Sequence, residues 1–423
     1  MGRFGDGREW FFRARYGLFI HWGLYAIPAW HEQHQFRLGL PRKEYAPLAR
    51  RFHPQDFDPE AWLDLVEAAG MKYVVFTAKH IDGFCLWATG ETPYHVGNTP
   101  WGKDALALLA HACHRRGIPL CLYYSLADMN HPNYPTSGKS YELPAPEPGD
   151  EPDAGKYLAF VRAQVTELCT RYGKIHGFWW DARMFEAPGA GLNALIRKLQ
   201  PDAVINNRGF DAGDFATPER EWEEGEHARD AYARPTEACT SVGFQSWGYR
   251  AGEDFYADRF LEEKMDHAFA KGGNFLLNVG PDARGVITPE YREPLLRLGR
   301  WYGRVKEAFE DAPAVGGLVD NPDVLTTRRG NTLYIHLAKA PASDAVVLRP
   351  IDALPRSAVL LNTGGPVEAR LELLPWNHRD RKAWLRLARL PVNEHAASVL
   401  VIRLDFERLP ERFTAPSPAE IVA

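Results

Sequence analysis

The chain has 423 residues, of which 50 are basic and 55 acidic, so its formal net charge at pH 7 is −5. This balance argues against a nucleic-acid or anionic-membrane surface, because either would need a dense basic patch. Apolar residues make up 45% of the chain, an ordinary globular share that excludes disorder for most of it. The 13 Trp, 17 Tyr and 22 Phe residues are an aromatic excess. Core packing is the commoner reason for such an excess, and a sugar-binding cleft the rarer one.

The five cysteines are scattered, and no two have the C-x-x-C spacing, so neither a disulfide framework nor a zinc site is predicted. The N-terminus lacks the apolar stretch of a secretory signal, and no run approaches the roughly 18 apolar residues of a membrane span. We therefore expect a cytoplasmic protein with no membrane and no nucleic-acid partner.

Short apolar runs alternate with helical patterns through the first three quarters of the chain. The runs predict strands at 16–20, 72–78, 119–125, 175–180, 203–206 and 275–279. The helical patterns cover 58–70, 104–117, 156–172, 191–199, 255–271 and 289–309. Strict alternation with nearly continuous apolar strands predicts an α/β fold in which helices cover a parallel sheet. The number of units favours a closed, (β/α)8-like TIM barrel over an open sheet.

The pattern changes after residue 312. Short strands separated by turn-rich spacers are predicted at 323–327, 332–337, 345–348, 358–361, 383–387 and 397–404. This pattern is typical of a compact antiparallel β-sandwich. The predicted division is therefore a barrel over 1–312, a C-terminal β-sandwich over 313–408 and a tail over 409–423.

Polar and aromatic side chains stand where the predicted barrel strands end. They are His21, His80, Tyr123, Trp179, Asp181 and Arg208. In a parallel barrel such strand ends converge on one opening, where the working residues lie. Each residue also has an ordinary structural interpretation, since a strand-end aspartate often caps the next helix and a lone histidine is often a core residue. Five strand ends in succession favour a functional site.

Hydrolysis of a glycosidic bond needs two carboxyl groups beside the anomeric carbon. One attacks or activates water, and the other protonates the leaving oxygen. Asp181 is the candidate for the first group, since Trp179 and Trp180 predict apolar surroundings and Arg208 can keep the carboxylate ionised. The second carboxyl group has to come from a longer loop, either the acidic run over 217–226 or Glu237.

Six segments resemble, in order, the signatures of glycoside hydrolase family 29, the α-L-fucosidases. They are YGLFIHWGLYAIPAW (16–30), FTAKHIDGF (76–84), LYYSL (122–126), GFWWD (177–181), SWGY (246–249) and KGGNFLLNVGP (271–281). The resemblance runs from about residue 10 to 310, and a β-module follows it, as in that family.

The resemblance implies a barrel followed by a β-sandwich, a retaining reaction, and no metal or other cofactor. Asp181 is then the nucleophile that forms a glycosyl-enzyme intermediate, and Glu219 is the favoured acid/base, with Glu237 as its alternative. The sugar subsite is then lined by His21, His80, Tyr123, Trp179 and Arg208. The expected partner is a small-molecule glycoside or oligosaccharide, and the sequence is compatible with a homo-oligomer.

Two positions depart from the family pattern. The second histidine that the family usually has at the end of the second strand is Ile81 here, and the segment 31–36 reads HEQHQF where a Glu-Trp pair is expected. Fewer hydrogen-bonding groups would weaken discrimination among sugar hydroxyl configurations. The glycone is therefore expected to be α-L-fucose or a closely related sugar.

Two other classes of function are alternatives to the glycosidase. One is a catalytically silent sugar-binding protein on the same scaffold, which the two departures motivate and the retained Asp181 and Glu219 oppose. The other is a metal-dependent hydrolase using His31, His34, His80 and His131. Their spacing matches no zinc signature, and the loop 31–34 is expected to be solvated.

Overall fold

The computed structural model describes residues 3–220, 231–351, 353–375 and 381–410. Its central feature is a parallel sheet of seven strands in the first three quarters of the chain. The strands are β1 (Tyr16–Ile20), β2 (Tyr73–Lys79), β3 (Leu120–Ser125), β4 (Gly177–Asp181), β5 (Val204–Ile205), β6 (Glu237–Ser241) and β7 (Asn274–Val279). The sequence predicts six of them. It misses β6 because EACTS has no large apolar residue to mark a buried strand.

The strand order across the sheet is β5-β4-β3-β2-β1-β7-β6. The prediction of a parallel sheet is confirmed, but seven strands form it, where a closed (β/α)8 barrel has eight. The segment 215–219 lies between the two edge strands. It makes isolated bridges from Phe215 to Asn206, just after β5, and from Glu219 to Cys239 of β6. The sheet is therefore curled, and an irregular segment occupies the gap between its edges.

Helices precede or follow these strands, as the alternating pattern predicts. The α-helices among the described residues are α1 (Trp10–Ala14), α2 (His34–Arg37), α3 (Arg42–Tyr45), α4 (Pro59–Ala68), α5 (Ala105–Arg116), α6 (Ala154–Arg171), α7 (Leu192–Leu199), α8 (Asp258–Ala270) and α9 (Pro289–Val305). Short 3-10 helices cover Gly7–Glu9, Leu24–Ala26, Ala46–Arg51, Val96–Asn98 and Lys306–Ala308.

Aspartate side chains define the start of three of the long helices. Asp58, Asp104 and Asp153 each accept a hydrogen bond from a backbone N–H in the first turn. Such caps satisfy donors that have no partner within the helix. At the other end of α5, Gly117 has φ 67°, a left-handed conformation that glycine adopts without strain. Local sequence therefore defines where these helices begin and end.

The strands bury both faces, and their side chains alternate between two environments. Phe19, Tyr123 and Trp179 point into the curl of the sheet, whereas Trp180 packs in the core between the sheet and the helices. Phe11 of α1 belongs to the inner cluster, so the N-terminal helix covers the lower end of the curl. A cavity lies at the upper end, where the strands terminate.

Two antiparallel sheets follow. Their strands are β8 (Leu325–Arg329), β9 (Thr332–Leu337), β10 (Val346–Leu348), β11 (Ser357–Leu360), β12 (Gly365–Pro366), β13 (Glu368–Glu372), β14 (Trp384–Ala388) and β15 (Leu400–Asp405). One sheet has the strand order β10-β14-β13 and the other β12-β11-β15-β9-β8. Apolar side chains from both sheets form a single second core. The sequence misses β12 and β13, because GP and the charged EARLE lack an apolar strand pattern. Of the predicted tail, residues 411–423 lie outside the described residues.

A buried polar contact joins the two parts of the molecule. His336 Nδ1 of β9 lies 2.7 Å from Asp266 Oδ1 of α8, and both side chains are fully buried. The other ring nitrogen of His336 lies 3.0 Å from the hydroxyl of Thr327. Buried polar groups of this kind stabilise a structure only while each keeps its partner.

We expect Asp266→Ala to lower the free energy of unfolding by about 3 kcal/mol, because it leaves the buried His336 ring without its partner. The measurement is urea denaturation. Asp344, which is exposed in the C-terminal part, provides the control Asp344→Ala, with an expected change within about 0.5 kcal/mol. Equal stability of the two variants would show that the contact contributes nothing.

Candidate active site

A cavity of about 350 Å³ lies at the carboxyl ends of the parallel strands. Seven of the eight side chains that the sequence predicts for the site line it: His21, His80, Tyr123, Trp179, Asp181, Arg208 and Glu219. The eighth, Glu237, does not. Ile81, the position that departs from the family pattern, is buried and lines the same cavity.

Strand register brings the aromatic wall and the aspartate together. Tyr123 of β3 is paired with Trp179 of β4, and their rings stack with centroids 5.7 Å apart. Asp181 lies two residues beyond Trp179 on the same face of β4, as the period of a strand requires. Trp180 lies on the opposite face, where its Nε1 donates to Asn193. The expectation that both tryptophans surround Asp181 is therefore correct only for Trp179.

One arginine contacts both candidate carboxylates. Arg208 donates from Nη1 to Asp181 at 3.0 Å and from Nη2 to Glu219 at 2.8 Å. Tyr123 donates its hydroxyl proton to the second oxygen of Asp181 at 2.8 Å. Because one guanidinium group reaches both carboxylates, they lie on the same side of the cavity and close together.

The surroundings of Arg208 keep its charge in place. Its guanidinium lies over the ring of Trp179, 4.6 Å from the centroid. Burial by itself lowers the pKa of Arg208, but the negative charges of Asp181 and Glu219 outweigh it and the net shift is upward. Arg208 therefore stays charged and supplies the positive charge that two neighbouring carboxylates need.

Two histidines, His21 and His80, line the cavity beside Tyr123. Burial lowers the pKa of His21 to about 4 and holds the pKa of His80 well below its ordinary value. His21 Nδ1 lies 2.7 Å from Asn278 Oδ1, while the Nδ2 of that amide donates to Trp247 O. This orientation of the amide makes His21 Nδ1 a donor and leaves its Nε2 as an acceptor for a bound hydroxyl.

Glu237 lies at the amino end of β6, below Trp179. Its carboxylate accepts a hydrogen bond from Tyr73 Oη at 2.5 Å and one from Trp179 Nε1 at 3.0 Å. Burial raises its pKa from 4.5 to about 7, although both hydrogen bonds act in the opposite direction. Glu237 therefore supports the tryptophan from beneath and is separated from the cavity by its ring.

The sequence did not assign a role to three residues that line the cavity. Glu32, Tyr141 and Trp247 all face it. Glu32 Oε2 accepts hydrogen bonds from the hydroxyl of Ser246 at 2.8 Å and from the backbone N–H of Trp247 at 2.9 Å. The SWGY segment that carries part of the family resemblance was the available signal for Trp247. For Glu32, the available signal was the Glu-Trp pair that the family pattern leads one to expect over 31–36.

The expectation of a solvated loop at 31–34 is wrong. His31 is 6% exposed and Glu32 is 2% exposed. The loop is buried because Glu32 receives the hydrogen bonds from 246–247, more than 200 positions away. Within the described ranges, no cluster of three or more His, Cys, Asp or Glu side chains has the geometry to hold a metal ion.

Of the eight non-glycine residues with positive φ in the described part of the chain, two line the cavity and a third follows Glu219. Tyr141 has φ 67°, and Ala182 and Arg220 both have φ 51°. Side chains other than glycine adopt this region at a cost of about 1–3 kcal/mol, and such strain is concentrated at functional sites. Beyond Arg220, the acidic residues of the run over 221–226 lie outside the described residues. Among the helices that are described, none has the length and apolar character needed to span a membrane.

Paired carboxylates in an aromatic cavity at the strand ends of an α/β fold define a site of the glycosidase class. The alpha-L-fucosidase family model matches residues 6–307. A curated relative, tissue alpha-L-fucosidase of Rattus norvegicus, is 30% identical over 340 residues, 69% of this chain and 67% of the relative. The chain belongs to the alpha-L-fucosidase family, which confirms the resemblance seen in the sequence.

Solved structures agree with this assignment. Alpha-L-fucosidase isoenzyme 1 from Paenibacillus thiaminolyticus is 32% identical, with a TM-score of 0.81 over 95% of this chain and 100% of that chain. An alpha-L-fucosidase of family GH29 from Bacteroides thetaiotaomicron, solved as a trapped covalent intermediate with 2-fluoro-fucosyl fluoride, is 26% identical. Its TM-score is 0.78 over 96% of this chain and 97% of that chain. These relatives support an enzyme over a catalytically silent sugar-binding protein.

The raised pKa of Glu237 predicts a pH dependence of stability. The folded protein holds this proton more tightly than the unfolded chain does, so the free energy of unfolding falls as pH rises from about 4.5 to about 7. The contribution of this group is up to about 3 kcal/mol. We expect Glu237→Gln to remove that part of the decrease, since an amide does not ionise. Its oxygen can accept from Trp179 Nε1, and its NH2 group can donate to the hydroxyl oxygen of Tyr73.

The measurement is urea denaturation of both proteins at pH 5 and pH 8. Glu394, which is exposed, gives the control Glu394→Gln, whose difference between the two pH values should equal that of the parent protein. An equally large decrease in Glu237→Gln would exclude Glu237 as its source.

Proposed function

We propose that this protein is a retaining, exo-acting glycoside hydrolase that releases terminal α-L-fucose, or a closely related sugar, from small glycosides. The observation that carries the proposal is the contact of Arg208 with both Asp181 and Glu219 at the mouth of an aromatic cavity. Membership of the alpha-L-fucosidase family supports it, as does the covalent intermediate trapped in the relative from Bacteroides thetaiotaomicron.

In the first step, a carboxylate oxygen of Asp181 attacks C1 of the bound sugar. The bond from C1 to the leaving oxygen breaks, and Glu219 gives its proton to that oxygen. Tyr123 and Arg208 hold Asp181 by hydrogen bonds to its two oxygens. These contacts orient the nucleophile before the attack.

In the second step, Glu219 takes a proton from water, and the water oxygen attacks C1. The bond between C1 and Asp181 breaks, and Asp181 leaves as a carboxylate. Retaining enzymes hold the two carboxyl groups only about 5–5.5 Å apart. The covalent intermediate trapped in the relative from Bacteroides thetaiotaomicron supports the retaining class.

The first step needs the protonated form of Glu219, and the second step needs its carboxylate. We infer that the leaving group enters between Glu219 and Arg208 and separates them, so that the carboxyl group of Glu219 faces the leaving oxygen. The side chain of Glu219 is 38% exposed, which leaves it room to move.

Glu219 is the proposed acid/base, and the position of Glu237 speaks against that residue. Glu237 is 2% exposed, binds the edge of the Trp179 ring and does not line the cavity. An acid/base has to come within hydrogen-bond distance of the leaving oxygen. A carboxyl group outside the cavity does not meet that requirement.

The identity of the sugar that the enzyme releases is the more specific part of the proposal. Ile81 places an apolar side chain in the cavity wall, where the family pattern has a histidine. Glu32, which lines the cavity, has one buried carboxylate oxygen without a hydrogen-bond partner among the described residues. We propose that this oxygen accepts a hydrogen bond from a sugar hydroxyl. The domain boundary near residue 312 and a cytoplasmic location stay predictions.

Replacement of the nucleophile tests the function directly. We expect Asp181→Ala to lower the turnover of an aryl α-L-fucoside by several orders of magnitude while the protein stays folded. Azide should restore turnover, because a small anion can occupy the vacated space and attack C1. The measurements are steady-state kinetics and identification of the glycosyl azide by NMR.

The exposed Asp211 provides the control Asp211→Ala, which should turn over the substrate like the parent enzyme. Nearly normal activity of Asp181→Ala would remove the assignment of the nucleophile. Absence of turnover by the parent enzyme on every aryl fucoside would remove the proposed function.

The loss of rate caused by replacing the acid/base should depend on the leaving group. We expect Glu219→Ala to lower the rate for poor leaving groups by about 10²–10⁴-fold, and much less for activated aryl groups that depart without a proton. The measurement is kcat/KM across a series of aryl α-L-fucosides of increasing leaving-group pKa. Glu237→Ala is the comparison, and the same dependence in that variant alone would reverse the assignment.

A further inference from the structure

A second cavity of about 560 Å³ adjoins the proposed active site. Five residues line both cavities: Glu32, Gln33, Tyr141, Glu219 and Trp247. The two spaces are therefore continuous, and Glu219 stands at their boundary. Its carboxylate is the group proposed to meet the leaving oxygen.

We call the second space the outer groove and define it by the residues that line it alone. Among these are Arg37, Arg220, Phe244, Tyr256 and Phe260. The rings of Tyr256 and Phe260 are stacked at 4.2 Å, and Phe244 meets Tyr256 edge-on at 5.8 Å. Phe244 is 55% exposed, an unusual position for a large apolar side chain. The groove thus presents aromatic surface to whatever enters it.

Two arginines line the outer groove together with the carboxylates of Glu32 and Glu219. Arg220 lies over the ring of Trp247, 4.8 Å from the centroid, and its Nη1 donates to Phe244 O. Arg37 donates from Nε to Gln33 at 3.0 Å. Among the described residues, no carboxylate forms an ion pair with either arginine. Within that part of the chain, both guanidinium groups therefore keep donors for a ligand.

The carboxylates that line the groove have other partners. Glu219 is paired with Arg208, and Glu32 accepts from the hydroxyl of Ser246 and the N–H of Trp247. The pKa of His31, which also lines the groove, is lowered by burial and further by Arg37 and Arg220, against the effect of Glu32. Arg37 and Arg220 are therefore the charged groups of the groove that no ion pair within the described residues neutralises.

We propose that the outer groove binds the leaving group of the substrate and selects a flat or saccharide leaving group that carries an anionic substituent. The inference rests on the proposed function, because the position of Glu219 defines which side of the scissile bond the groove serves. Aromatic faces stack on a sugar or aryl ring. The planar guanidinium groups of Arg37 and Arg220 match a carboxylate or sulfate on that ring.

A matched pair of substrates tests the proposal. The two are 4-(carboxymethyl)phenyl α-L-fucoside, which is anionic, and 4-(carbamoylmethyl)phenyl α-L-fucoside, which is neutral. The methylene group separates the substituent from the ring, so the two phenols leave almost equally well. We expect kcat/KM at low ionic strength to be about fivefold higher for the anionic substrate, an effect of the size that one or two partly exposed ion pairs produce. The preference should shrink with added NaCl.

The preference is then measured in Arg37→Gln and Arg220→Gln. Each should reduce the ratio of the two kcat/KM values toward one, and any loss common to both substrates cancels in that ratio. The control is Arg356→Gln, which removes an exposed arginine of the C-terminal part and should keep the parent ratio.

Each result is decisive. A ratio of one in the parent enzyme with both substrates turned over would overturn the groove proposal and leave the proposed function intact. A ratio that stays at the parent value in both groove variants would also overturn it. Failure of the folded parent enzyme to hydrolyse either fucoside would remove the proposed function, and the groove proposal with it.

Discussion

The contact of Arg208 with two carboxylates is the interaction on which the site depends. Asp181 ends β4, Arg208 follows β5, and Glu219 lies in the segment between the edge strands of the curled sheet. Arg208 also donates to the hydroxyl and carbonyl oxygens of Thr217 in that segment. The same guanidinium therefore pairs the two acids and anchors the segment that lies across the gap in the sheet. Without this positive charge, two carboxylates at one cavity mouth would repel each other.

Trp179 contacts both the charged groups of the site and the interior of the sheet. Its upper face meets the guanidinium of Arg208, its edge binds Glu237 through Nε1, and its ring stacks on Tyr123. A rigid aromatic surface held from beneath by a buried carboxyl group can fix the geometry of the groups above it. Burial keeps the neighbouring histidines neutral. His21 and His80 can therefore bind a sugar through hydrogen bonds rather than through charge.

The loop that departs from the family pattern lies where the active-site cavity meets the outer groove. Glu32 and Gln33 line both spaces, and Ile81 lines the inner one. In the proposed reaction, Asp181 and Glu219 carry out the chemistry, and these neighbouring residues are the ones expected to select the sugar and the leaving group.

The sequence by itself determined the parallel α/β arrangement, the strand ends and seven of the side chains in the cavity. These depend on short-range regularities: apolar runs, capping residues and the two-residue period that puts Trp179 and Asp181 on one face. The tertiary structure decided that Glu219 reaches the cavity and Glu237 lies beneath it, since β6 has no apolar pattern to reveal it. It also decided that Glu32 is buried, because its partners Ser246 and Trp247 come from a distant part of the chain. Contacts between distant residues leave no local periodicity, and only the folded chain brings them together.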